Sequence, residues 1–200
     1  MRPSRILYTL FAAMLLFVVV PAQAQTAEAE IRTLLKERDA AIKRLLGPAG
    51  SDVPAARREE LKDVVNDFVD FRAMGQAALG SHWSGLAAAQ QTEFVQVFSD
   101  IVRGQSLANL EPYRAAVKYE SVSVTGNTAR VVTSTVIDEV PMTIEYQLHR
   151  TGSTWRATDI ILDEVSTVEG YSRSFQTMIR RRGFPTLMER LNARRAELNA

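Results

Sequence analysis

The sequence predicts an α+β domain in which helices from both ends of the chain cover a four-stranded antiparallel meander. Three observations carry this. Apolar residues recur at helical spacing from Ala27 to Leu110, the period switches to two between Val117 and Leu162, and helical spacing returns from Tyr171 onward. Two hundred residues suit one domain of this kind.

The first segment stands apart. Arg2 and Arg5 precede a run from Ile6 to Val20 that is almost wholly apolar, followed by Pro21 and Ala22-Gln23-Ala24. This is the order of a secretory signal: basic start, apolar stretch, small residues at the cleavage site. The run of about 15 residues is shorter than the roughly 20 that span hydrocarbon. The expectation is cleavage after Ala24 (signal 1–24, one domain over 25–200) and export. Without Arg2 and Arg5 the remaining chain holds 22 basic and 23 acidic residues. Such a balance argues against nucleic acid as a partner.

Ile31, Leu34, Leu35, Ile42, Leu45 and Leu46 define a first helix over 27–46, which Gly47-Pro48 stops. Leu61, Val64, Val65, Phe68 and Phe71 stripe a second helix from about Ala55, followed by a break near Asp70 and a short helix closed by Gly80. Ser84-Gly85 reads as the start of a long helix bearing Phe94, Val97, Phe98 and Ile101. It is expected to run to Leu110, because the residue before Pro112 avoids helical geometry. Four strands follow: 117–124, 129–137, one alternating through Met142, Ile144, Tyr146 and Leu148, and 155–162. Gly126-Asn127, Asp138 to Pro141 and Thr151-Gly152-Ser153 link them. Tyr171, Phe175, Met178 and Ile179 mark a helix ended by Gly183, and a last helix begins at Pro185. Helices laid over one face of a curved sheet leave a slot between the layers.

Little reaction chemistry is available. There is no cysteine, and His82 and His149 are the two histidines, so thiolate sites, disulfides and three-histidine metal sites are excluded. Nucleotide-binding loops, nucleophile elbows and zinc-protease motifs are absent. Neither metal nor cofactor is expected. Arg180-Arg181-Arg182, with Arg190, Arg194 and Arg195, is the strongest charge feature; it reads as a solvated helix end or as a face for an acidic partner or anionic head groups. Phe68, Phe71, Met74, Leu79, Trp83, Phe94, Phe98 and Ile101 crowd one helical region, which suits a filled core and a lined cavity equally.

The run from Val69 to Trp83 contains Asp70-Phe71, Met74, Ala78-Leu79-Gly80 and Trp83, and resembles the signature of the MlaC (toluene-tolerance) family. Gln90 or Gln91, Glu93-Phe94 and Phe98 are similar to that family's next helix. Trp155 and Asp159 are similar to its last long strand, and Val165 to Val168 with Tyr171 and Phe175 to the helix entry beyond it. Glu164, Gly170 and Ser172 depart from the residues usual in the family. The resemblance spans about Ala27 to Leu191.

It implies an NTF2-like α+β fold and a non-enzymatic periplasmic carrier that keeps the acyl chains of a phospholipid between sheet and helices. It also implies partners: an inner-membrane ABC lipid transporter and an outer-membrane lipoprotein–porin complex, between which lipid passes to maintain outer-membrane asymmetry. A monomer is expected. On this reading the cavity lining is Phe68, Phe71, Met74, Leu79, Trp83, Phe94, Phe98 and Ile101, with Met142, Tyr146, Leu148, Tyr171 and Phe175 added from the sheet and last helices. Two alternatives stand beside it. One is an NTF2-like isomerase or hydratase for a small apolar substrate, with Tyr146 and Asp159 as the reacting pair. The other is an exported carrier of another lipid, such as a terpenoid.

Overall fold

The computed structural model describes residues 22–48 and 50–198. Most of the expected export segment therefore lies outside the described residues, and its predicted cleavage point falls in the first turn of α1 (Ala22–Leu46). Three helices follow: α2 (Ala55–Asn66), α3 (Phe71–Leu79) and α4 (Ala88–Ser106). A meander then runs β1 (Lys118–Thr125), β2 (Thr128–Ile137), β3 (Val140–Thr151), β4 (Thr154–Leu162) and β5 (Val165–Ser166), and α5 (Thr167–Leu198) closes the chain.

The sheet has five strands in sequence order, all neighbours antiparallel. The expected four become five because Asp163 and Glu164 take left-handed backbone angles (φ 43° and 68°) and reverse the chain in two residues. Val165 then pairs with Leu162 and Ser166 with Ile161. Such turns usually announce themselves with Asn-Gly or Asp-Gly. Here the second position is a glutamate, so the sequence carries no glycine signal.

The long helix also differs from expectation. Ser84-Gly85 belong to a 3₁₀ segment, Gly80–Gly85, and α4 starts at Ala88, where the Gln90 side chain accepts from the Ala87 amide at 2.9 Å. The helix ends at Ser106 rather than Leu110. Leu107 and Leu110 turn away to pack against Leu45, Leu46, Val53 and Leu61 at the α1–α2 corner. At the far end, Gly183 (φ 82°) breaks α5 into two helical arms, as its glycine and the following Pro185 lead one to expect.

Two apolar bodies meet at the sheet. Ala27, Ile31 and Leu35 of α1 pack on Val122, Ala129, Val131, Leu148, Trp155 and Ala157. Beside it on the same face, α3, α4 and α5 form a helical core around Phe94, Phe98 and Phe175, which meets β4 at Ile160. The link between α2 and α3 is tied to the sheet by backbone bonds: Ala157 donates to Phe68 O at 2.7 Å and Asp70 donates to Ala157 O at 2.8 Å. Asp70 also caps α3, its carboxylate accepting from the Ala73 amide at 2.9 Å. Asp70→Ala removes that acceptor and is expected to cost about 1 kcal/mol, read as a lower urea midpoint with unchanged slope.

Candidate functional site

A cavity of about 520 Å³ lies between the inner face of the sheet and α1, α2, α4 and the start of α5. Pleating explains its sheet wall. On β2 the inward residues are Thr133, Thr135 and Ile137; on β3 they are Met142, Ile144 and Tyr146. Register holds them side by side, with Thr133 opposite Ile144, Thr135 opposite Met142 and Val131 opposite Tyr146. Ile160 and Leu162 continue the wall on β4, and Tyr119 on β1. Helical residues close it: Leu35 and Ile42 of α1, Val65 of α2, Phe68 and Val69 of the link, Met74 of α3, and Val102 of α4.

The lining is made apolar even where it carries polar atoms. The Thr133 hydroxyl donates to Ile144 O at 3.1 Å and that of Thr135 to Ala116 O at 3.0 Å, so both are engaged by backbone. Arg38 reaches the wall from α1, donates to Val64 O and stacks 5.1 Å from the Phe68 ring centroid. Burial lowers its pKa, partly offset by Asp67. Asp39 is engaged by Lys43 at 2.9 Å. Burial pushes the phenols of Tyr113, Tyr119, Tyr146 and Tyr171 upward, most strongly Tyr146. They therefore stay neutral through the physiological range.

The cavity opens at one end. Burial falls along β2 from Val131, Thr133 and Thr135 to Ile137, and along β3 from Leu148 to Tyr146, Ile144 and Met142. Gln105, Asn109 and Leu162 are the exposed members of the lining and mark the mouth. Across it the Tyr171 hydroxyl donates to Gln105 Oε1 at 2.6 Å, joining α5 to the end of α4.

The residues expected to line a cavity divide between two places. Phe68, Met74, Met142, Tyr146 and Tyr171 stand on its wall. Phe71, Leu79, Trp83, Phe94, Phe98, Ile101 and Phe175 lie instead in the packed core of α3, α4 and α5. Leu148 is buried under α1. The reason is packing: Phe94 stacks on Phe98 with centroids 5.7 Å apart, and Phe175 meets both edge-on at 5.9 and 6.1 Å, which leaves no lumen among them. Leu35, Ile42, Thr133, Thr135, Ile144 and Ile160 were not among the expected residues. For Ile144 the signal was present, since it shares a strand face with Met142 and Tyr146.

The pair proposed for the enzymatic alternative is not assembled. Tyr146 faces the cavity opposite Ile160, whereas the Asp159 carboxylate accepts from the Ile160 and Val168 amides at 2.8 and 3.1 Å and from the Ser166 hydroxyl at 2.5 Å. It thus secures the β4–β5 turn and the start of α5. His82 and His149 are not on the wall. Among the described residues, no group of histidines and carboxylates is placed to hold a metal ion, and no helix is long and apolar enough to cross a membrane. Arg181, Arg182 and Arg190 are exposed beside the α5 break, Arg194 pairs with Glu197, and Arg195 with Asp100.

No curated protein matches the chain. A solved structure similar to it is a phospholipid-binding protein from Ralstonia solanacearum in complex with a phospholipid. The two share 21% identity at a TM-score of 0.71, over 87% of this chain and 99% of the other. At that identity the likeness is one of fold, an antiparallel sheet covered by helices. The family model described as MlaC protein matches residues 22–193, nearly the whole described chain, and the chain belongs to that family.

Proposed function

We propose that this chain is a periplasmic phospholipid carrier, exported by its N-terminal segment, which moves lipid between an outer-membrane lipoprotein–porin complex and an inner-membrane ABC transporter. The observation that supports it best is the apolar cavity with an exposed mouth. Its volume is in the roughly 300–1,000 Å³ range of sites that enclose small molecules. A phospholipid has about 30 methylenes, each costing roughly 0.8 kcal/mol in water. Exposure of both tails would therefore cost on the order of 20 kcal/mol. A protein that carries such a molecule through water needs an apolar lumen shielded from solvent, and the apolar lining of this cavity supports that reading. The belonging to the MlaC family and the phospholipid in the Ralstonia protein point the same way.

Native mass spectrometry of the chain purified from periplasm, followed by lipid extraction, tests the reading. The expected result is one phospholipid per chain. A lipid-free chain, or one carrying only a polycyclic terpenoid, would refute it.

A further inference from the structure

Every large hydrophobic residue that stands exposed among the described residues lies at one place. Val136 (58% exposed), Val140 (61%), Leu162 (43%) and Val165 (63%) all sit on the β2–β3 and β4–β5 hairpins. These hairpins are held together: Asp163 donates its amide to Thr143 O at 3.0 Å, and Thr143 donates its amide to the Asp163 carboxylate at 2.8 Å. Val140 pairs with Ile137, and Val165 with Leu162, on the face that lines the cavity, so the apolar wall continues outward past the mouth. Val136 lies on the reverse side, opposite Pro141.

Around this apolar lip stand four carboxylates. Both hairpins turn on Asp-Glu, Asp138-Glu139 and Asp163-Glu164, all four with positive φ. None of the four has a cationic partner among the described residues, whereas Glu120, Glu145 and Glu111 nearby are each paired with Lys118, Arg130 and Arg114. An apolar patch beside a lipid cavity suits either a membrane or a protein. The ring of unpaired negative charge decides between them, because anionic head groups repel it and a basic collar attracts it.

We infer that the two hairpin tips form the docking face for a partner protein that presents an apolar patch collared by Lys and Arg, so that cargo passes mouth to mouth without meeting water. This rests on the carrier reading above and specifies the chemistry of the partner at the site of transfer.

The full chain is expressed in its own host with a photo-crosslinking residue in place of Val140, and in a second strain in place of Val165. Irradiation of intact cells is expected to give an adduct with another protein, through a segment flanked by Lys or Arg. Combining either probe with Asp138→Lys, Glu139→Lys and Glu164→Lys should lower adduct yield at least tenfold. Asp163 is left in place because it holds the two hairpins together. Adducts with lipid alone, adducts with a second copy of this chain, a yield insensitive to the lysines, or no adduct would each overturn the inference. Phospholipid content is measured in the same preparations. Wild-type content in the lysine variant shows that the lip docks a partner and does not hold cargo, while a wild-type chain free of phospholipid would defeat the carrier reading separately.

Discussion

Ile144→Asp is expected to reduce co-purified phospholipid by about two orders of magnitude while leaving the fold intact. Ile144 stands mid-wall on β3 between Thr133 and Leu162, with its side chain toward the cavity and only partly buried. In the unloaded chain, a carboxylate there keeps its hydration through the mouth. Acyl chains that enter must strip that water, and an unpaired buried carboxylate costs several kcal/mol. A penalty of about 3 kcal/mol is already more than a hundredfold in affinity. The nearest cation on the wall, Arg38, is engaged by Val64 O and the Phe68 ring and is not free to compensate. His149→Asp is the matched control. It adds the same charge to the same strand on the exposed outer face, and its lipid content should equal that of the wild type. Equal lipid in Ile144→Asp and wild type would remove the cavity from the binding reaction.

The two kinds of wall explain what could be read from the sequence. Strands β1 to β4 were legible because Met142, Ile144, Tyr146 and Leu148 alternate with polar residues, because glycine marks the first and third turns, and because Pro141 stands just beyond the second, Asp138-Glu139. The fifth strand was not, since Asp163-Glu164 makes a glycine-type turn without glycine. The family membership was legible in the run from Val69 to Trp83, but of those residues only Val69 and Met74 reach the lumen, while Phe71, Leu79 and Trp83 build packing. Aromatic density drew the expected lining toward α3 and α4, where Phe94, Phe98 and Phe175 fill space completely. The lumen borrows instead from β2, whose inward set Thr133, Thr135 and Ile137 is no more apolar than its outward set Val132, Ser134 and Val136. With both faces mixed, period two locates the strand but not its inner side. The register with β3, which sets Thr133 against Ile144 and Thr135 against Met142, reveals which face is turned inward, and backbone carbonyls engage the two hydroxyls there.

The same distinction between filled and open apolar regions predicts very unequal stability losses for two truncations. Phe94 is fully buried, with Phe98, Phe175 and Phe184 around its ring at centroid distances of 5.7, 5.9 and 6.3 Å. Helix α3 approaches it so closely that a Cβ on Gly75 would sit 3.0 Å from the Phe94 ring, so the neighbouring backbone has no room to collapse into a void without sliding the helix. Phe94→Ala should therefore lose transfer energy and pay for a cavity besides, about 3–5 kcal/mol in all. Domains of this size hold only about 5–15 kcal/mol in reserve, and this chain has no disulfide to limit the unfolded state. A fall in melting temperature of about 10 °C or more is expected. Ile144→Ala deletes methyl groups that face a cavity already present, so it creates little new void and should cost about 1 kcal/mol or less. Melting both variants after delipidation separates the cases. Equal losses would mean that the β3 side chains are packed as tightly as the helical core, and that the space under the sheet is not available to a ligand.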